Sequence, residues 1–284
     1  MFPSYKNKRV LITGHTGFKG AWLSLWLSKL GANVYGYSLE EPGKPAAYTG
    51  LGIKKCLQGE AIADLLKPAR FQKFLKVTKP HIIFHLAAQS LVRRSYKDPI
   101  ETLQTNFMGT AFVLEAVRTL KKPCAVVIVT SDKCYHNQEQ TLPFRETDPM
   151  GGKDLYSASK GAAEILTKAY RHSFFSREKF ETHGVALASA RAGNVIGGGD
   201  YAEDRIIPDC VRALSRKKPV LIRNPDSIRP WQHVLEPLSG YLRLGERLLS
   251  PEAAKYCEGW NFGPKPGPTL TVKDVVEHFI EAWG

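Results

Sequence analysis

Residues 13–20 read TGHTGFKG, and their neighbours on either side decide the architecture. RVLIT (9–13) is the apolar, β-branched run of a buried strand, and FKGAWLSLWLSKL (18–30) carries the apolar spacing of a helix. The turn between them has to bend sharply, let a ligand approach the backbone and seat the helix closely on the strand. Gly14, Gly17 and Gly20 bring no Cβ to those three tasks. The helix amino terminus adds free N–H groups and the positive end of its dipole, both of which favour phosphate. A strand, G-x-x-G-x-x-G and a helix in that order predict a dinucleotide site over Gly14, His15, Thr16, Gly17, Phe18, Lys19 and Gly20.

The same rhythm runs outward from that turn. NVYGYS (33–38), HIIFHLA (81–87), CAVVIVT (124–130) and GVALASA (184–190) read as strands, and helical patterns cover 68–78, 99–120 and about 154–175. Strand–helix alternation of this length predicts an α/β fold, a Rossmann-type doubly wound parallel sheet. After Ala190 the texture changes to the glycine-rich RAGNVIGGGD and then to recurring proline, as in a smaller appended lobe over 191–284. A helix near 235–249 is expected to return to the first domain, so residues 1–190 would be rejoined by about 233–260.

The 284 residues are 43% hydrophobic and 24% charged, ordinary values for a globular chain with a real core. The net charge of +13 points to an anionic partner. The basic residues are scattered and carry no nucleic-acid motif, so a phosphate-bearing small molecule accounts for them, with no nucleic acid. Five widely spaced cysteines without a C-x-x-C pair argue against a disulfide framework or a zinc site, and so for a reducing, cytoplasmic setting and no metal. No run of about 18 apolar residues and no signal-peptide core is present, so no membrane association is expected.

Two further motifs carry chemistry. YSASK (156–160) sets Tyr156 and Lys160 four residues apart on one helix face, where the ammonium stabilises a phenolate and draws the tyrosine toward working pH. Such a tyrosine takes a proton from an alcohol as hydride leaves its carbon. TSDKCY (130–135) places Ser131, Asp132 and Lys133 at the carboxyl end of a buried strand, an acid and a base side by side. Asp132 must be protonated to act as an acid, which requires burial, and Lys133 must be neutral to act as a base. The acid that usually ends the second strand of an NAD site falls at Ser38, with Glu40 two residues on and Lys19 a nearby cation for a 2′-phosphate or simply for solvent. NAD is favoured over NADP.

TGHTGFKG, HLAAQS and YSASK together resemble the extended short-chain dehydrogenase/reductase superfamily. GHTGFKGAWLSLWL, TSDKCY and RPWQHVLEPLSGYL are more specific and resemble the CDP-glucose branch of its sugar-nucleotide 4,6-dehydratases. The resemblance covers nearly the whole chain, although members of that branch continue several dozen residues beyond Gly284, which puts the C-terminal end of the sugar-nucleotide lobe outside this sequence. It implies an NAD-dependent hydro-lyase that makes a 4-keto-6-deoxy sugar nucleotide, a deoxysugar precursor of O-antigen lipopolysaccharide. It implies that Tyr156 removes the C4 hydroxyl proton, Ser131 bonds that hydroxyl, Lys160 supports the tyrosine, Asp132 protonates the leaving O6 and Lys133 handles the C5 proton. Asp64, Leu86, Ala87 and Ala88 join the cofactor set. Gln89, Asn194, Arg205, Arg223, Asn224 and Arg229 form the substrate set, with a planar guanidinium suited to diphosphate oxygens.

A homodimer through helices 99–120 and 154–175 is also implied, with Phe107, Phe112, Leu114 and Leu166 serving either that face or the core. His85 and His233 are read as packed or hydrogen-bonded. A 4-epimerase, a dehydratase of another nucleotide sugar and a non-catalytic cofactor-binding protein stand as alternatives.

Overall fold

A computed structural model describes residues 2–43, 45–138, 142–264 and 270–284. The alternation expected from the sequence is present. β1 (Arg9–Thr13) leads through the glycine turn to α1 (Phe18–Lys29), β2 (Asn33–Ser38) and β3 (Gly59–Ile62). α2 (Pro68–Thr78) and β4 (Ile82–His85) follow, then a continuous helical run that ends in α3 (Gly109–Leu120), then β5 (Cys124–Val129), α4 (Leu155–Ser173) and β6 (Val185–Ala192). The remaining elements are β7 (Val195–Ile196), α5 (Ile206–Leu214), β8 (Gln232–His233), α6 (Leu235–Leu248), β9 (Gly259–Phe262) and α7 (Val272–Trp283). Seven strands form one parallel sheet in the order β3-β2-β1-β4-β5-β6-β9. The order reverses between β1 and β4, and the crevice outside the carboxyl ends of those strands is where such sheets bind ligands.

Period-two alternation gives the sheet two apolar faces, and helices cover both. Val10, Ile12, Val127, Ala186 and Ala188 pack with Leu23 and Leu27 of α1 and with Leu238, Tyr241 and Leu242 of α6. Leu11, Val126, Ile128 and Leu187 face the other way, onto Phe71 and Leu75 of α2 and Val113, Leu114 and Val117 of α3. β5 and β6 are buried along their whole length, which is why β5 reads as an unbroken apolar run and β6 as one interrupted only by Ser189 and Arg191.

β3 (GEAI) and β9 (GWNF) lie at the two edges, are only half-buried, and lack that run; the sequence reading passes over both. Beyond β6, β7 and β8 pair in a separate two-stranded sheet, and α5 packs with α7. Residues 235–248 and 259–262 belong physically to the large layer: α6 lies on β5 and β6, and β9 extends the sheet beside β6.

Candidate active site

The glycine turn is shaped by contacts that no side chain would permit. Gly14 has φ +76°, and a Cβ there would stand 2.7 Å from the Ala87 backbone nitrogen. A Cβ on Gly20 would stand 2.1 Å from the Gly14 carbonyl oxygen, so α1 seats directly on the turn. Gly17 is different: its nearest neighbour would be at 3.4 Å, and as the cap of α1 it offers no side chain to the first-turn amides. Those amides stay free over an open cradle, which fits a pyrophosphate. The loop after β4 closes the crevice from the other side, with Leu86 N–H bonded to the Thr13 carbonyl at 3.1 Å and Ala87 N–H to the Thr13 hydroxyl at 3.3 Å. Ala88 continues that loop.

Five residues of the predicted cofactor set use their side chains elsewhere. His15 is fully buried, its ring set in the space that Gly36 leaves without a Cβ, with Nε2 2.9 Å from Glu60 and an edge contact to Tyr48. Only its backbone belongs to the turn. The Thr16 hydroxyl donates to the Leu39 carbonyl at 3.0 Å and lies 2.8 Å from the Ser38 hydroxyl, so it secures the end of β2 where an acid was expected. Lys19 neither reaches that end nor lies in solvent, and both readings made from the sequence are corrected. Its ammonium points across the cleft to the Tyr241 hydroxyl at 3.4 Å, in the field of Arg205, Asp132 and Lys160, and burial first of all lowers it to about 8. Phe18 packs on the core, and Asp64 caps its own turn by accepting from Leu66 N–H at 2.9 Å.

The catalytic candidates meet at the carboxyl end of β5. Asp154 caps α4 by accepting from Ser157 N–H at 2.9 Å, which puts Tyr156 in the first turn and Lys160 one turn later. Both are buried, at 8% and 6% exposure. Burial pushes Tyr156 up to about 12, while the Ser131 hydroxyl, as its hydrogen-bond partner, pulls the other way. Desolvation outweighs the lowering influences of Ser131 and Arg205, and the drawing-down by Lys160 that the spacing predicts does not show among them. Lys160 itself is lowered to about 8, by burial first, against the opposing charge of Glu164.

Ser131 donates to Asp132 Oδ1 at 2.9 Å and accepts from Lys133 N–H at 3.2 Å, a tight turn that fixes the acid beside the tyrosine. The Asp132 carboxyl is raised by burial against the lowering pull of Ser131, Lys133 and Lys19. Gly193, at the start of the second lobe, faces it: a Cβ there would stand 2.5 Å from Pro230 and 3.2 Å from Asp132 Oδ2.

Behind these residues lies a set that the sequence reading misses. The helical run 99–120 contains a π-helical turn, Gln104–Met108, a feature often found at functional sites. It turns Asn106 inward, where Oδ1 accepts from Gln89 N–H at 2.9 Å and Nδ2 donates to the Gln89 carbonyl at 3.0 Å and to Ser159 Oγ at 2.9 Å. One amide thus ties the loop after β4 to the helix of Tyr156. Gln89, predicted to bind substrate, spends its own amide on Leu91 and Thr102 and holds this loop instead. His85 is buried with both ring nitrogens engaged, to Thr13 at 2.7 Å and Thr110 at 3.2 Å, and burial lowers it to about 3. His233 is exposed and accepts from Leu235 N–H at 3.4 Å.

Of the predicted substrate set, Arg205 comes nearest the centre. It is half-buried, ion-paired with Asp200 at 3.1 Å, and its charge acts on both Lys19 and Tyr156. Asn194 follows Gly193, and its carbonyl accepts from Gln232 N–H at 3.2 Å. Arg223 pairs with Asp204 at 2.9 Å, as does Arg93 at 2.7 Å. Asn224 and Arg229 are exposed; the Arg229 side chain donates to the Ile228 carbonyl at 2.8 Å.

The profile of the family described as GDP-mannose 4,6 dehydratase matches residues 11–248. Over 280 residues the chain is 51% identical to the CDP-glucose 4,6-dehydratase of Salmonella typhimurium, a match that covers 99% of this chain and 77% of that protein. Among solved structures, the dTDP-glucose 4,6-dehydratase DesIV of Streptomyces venezuelae, with NAD bound, superposes with a TM-score of 0.80 at 23% identity, covering 97% of this chain and 81% of that one. The Thermus thermophilus UDP-glucose 4-epimerase, in complex with NAD, reaches 0.78 at 23% identity, covering 96% and 83%. Both structural likenesses are likenesses of fold.

Proposed function

We infer, for a chain that belongs to the GDP-mannose 4,6-dehydratase family, an NAD-dependent hydro-lyase that converts CDP-glucose to CDP-4-keto-6-deoxyglucose. NAD on the glycine turn supplies the acceptor for the C4 hydride and the donor that returns it to C6. The other work falls to side chains. Tyr156 accepts the C4 hydroxyl proton, Ser131 bonds that hydroxyl, and Lys160 supplies the positive charge that favours the phenolate. Once C4 is a ketone, the C5 hydrogen is acidic; Lys133 takes it as a proton, Asp132 protonates O6 so that it leaves as water, and Lys133 gives the proton back to C5 as hydride reaches C6. The cofactor set is the turn Gly14 to Gly20, Asp64, Leu86, Ala87 and Ala88. Asn194, Arg205, Arg223, Asn224 and Arg229 meet the nucleotide diphosphate. Residues 1–190, rejoined by about 233–260, are assigned to the cofactor, and the rest of 191–284 to the nucleotide sugar.

Asp132 carries this reading. Burial holds its carboxyl above the usual range, in the same cleft as Tyr156 and Lys160. A 4-epimerase needs the tyrosine and the lysine but no acid for a leaving hydroxyl. The test is to incubate the protein with NAD and a panel of nucleotide-linked glucoses. The expected result is a 4-keto-6-deoxy product formed fastest from CDP-glucose. A C4 epimer with no such product would assign the protein as an epimerase.

A homodimer belongs to the same proposal. Ile100, Met108 and Ile165 are exposed apolar residues on the two helices predicted to pair, with Phe107, Phe112 and Leu166 half-buried beside them. Leu114 is excluded from that face because it is fully buried in the core. Light scattering at micromolar concentration is expected to give twice the chain mass, and a monomer there sinks the dimer. No helix among the described residues is long and apolar enough to cross a membrane. All five cysteines are free, which supports residence in a reducing cytoplasm.

A further inference from the structure

Glu164 lies on α4 one turn beyond Lys160 and is 3% exposed. Its Oε1 accepts from the Thr130 hydroxyl, and its Oε2 accepts from Ser189 Oγ at 2.7 Å and from Arg191 Nη2 at 2.7 Å. Thr130 immediately precedes Ser131, while Ser189 and Arg191 belong to β6, whose Ala190 pairs with Val129 of β5. One carboxylate therefore joins the helix of Tyr156 and Lys160, the strand end that carries Ser131 and Asp132, and the next strand. Arg191 carries the tie further, to the Tyr135 hydroxyl at 2.7 Å and the Glu146 carbonyl at 3.1 Å. Buried ion pairs of this kind are weak contributors to net stability, since apolar replacements of similar volume are often neutral or better. Packing alone does not account for one placed here.

We propose that Glu164 is a positioning residue of the dehydratase site, which holds the Ser131–Asp132 turn against Tyr156 and keeps Lys160 in its charged form. The proposal rests on the reading of Tyr156 and Lys160 as the pair that serves C4 oxidation. The groups that face Lys160 are Tyr156 and Glu164 on its own helix, Cys134 from the turn after β5, His85 from β4 and Lys19 from α1. His85 is held neutral by burial and the Cys134 thiol is pushed up by burial, so neither supplies a negative charge at neutral pH. Lys19 repels. Glu164 is the carboxylate that opposes the loss of the Lys160 proton. Removing its charge lowers Lys160 further below about 8.

The test is the pH dependence of NADH formation in a single turnover with NAD and CDP-glucose, for the wild type and two variants. In Glu164→Gln the alkaline limb of the rate is expected to move down by about one pH unit or more, the size of effect a close buried charge exerts. Thr130→Val keeps the carboxylate and loses the tie; its rate is expected to fall about tenfold with the limb unmoved. A folded Glu164→Gln variant with an unmoved limb and a rate within about threefold of wild type overturns the proposal. Should that variant not fold, the double change Glu164→Gln with Arg191→Met removes both buried charges and is read in its place, with the same two outcomes. A wild type that forms no NADH overturns the underlying reading instead, which keeps the two failures apart.

Discussion

Tyr156→Phe is expected to lose at least about 100-fold in the rate of C4 oxidation, the scale of a lost general base, while its fold and NAD binding stay intact. The ring is 8% exposed and packs the same way without its hydroxyl, so the substitution removes the proton acceptor and little else. The physical problem this residue faces is visible in its surroundings. Burial pushes the phenol up to about 12, and it becomes an effective base only when positive charge pulls it back. In the proposed mechanism Lys160 supplies that charge while it is protonated, which holds below its lowered value of about 8 and fails as pH rises through it. The wild-type rate is therefore expected to fall above about pH 8, with Lys160→Met low throughout. Circular dichroism and NAD titration establish that the Phe variant is intact, and single-turnover NADH absorbance gives the rate. More than about a tenth of the wild-type rate in that variant would remove Tyr156 from the base role.

What the sequence reveals of this site follows from where each signal comes from. β5 and β6 are buried on both faces, so burial wrote an apolar run into the chain, whereas the four-residue edge strands β3 and β9 bury too little to leave one. The glycines of the turn are legible because Gly14 and Gly20 have no room for a Cβ. The side chains between them are not, because direction depends on partners far away in sequence. Lys19 turns toward Tyr241, 222 residues on, and His15 toward Glu60, 45 residues on. Asn106 is hidden for another reason: a π turn breaks the 3.6-residue period by which an inward face is recognised. Glu164 did carry a signal, since Tyr156, Lys160 and Glu164 recur every four residues on one helix face, but a carboxylate there reads first as a solvated surface residue. Only the positions of Thr130, Ser189 and Arg191 reveal it as buried.

Asp132 and Lys133 are expected to separate by function when each is changed alone. In the proposed sequence of steps neither is needed for the first hydride transfer, so Lys133→Met, which keeps length and loses charge, still forms NADH in a single turnover. Elimination then stalls for want of a base, and exchange of the C5 hydrogen with heavy water falls by about 100-fold or more. Asp132→Asn keeps the turn, because the amide oxygen still accepts from the Ser131 hydroxyl where the carboxylate does now at 2.9 Å. That variant exchanges C5 hydrogen yet loses O6 slowly, since an amide has no proton to give to the leaving group. The raised carboxyl of Asp132 is the physical ground for this division: burial pushes it up against the lowering pull of Ser131, Lys133 and Lys19, the direction an acid for the leaving group requires. Gly193 faces the same carboxylate from the second lobe, where a Cβ would stand 3.2 Å from Asp132 Oδ2. NADH absorbance followed together with deuterium at C5 distinguishes the two variants. If both lose hydride transfer and exchange to the same degree while folded, the pair positions the substrate or the cofactor, and the acid and the base must be sought elsewhere, with Lys19 first among the remaining cations of the cleft.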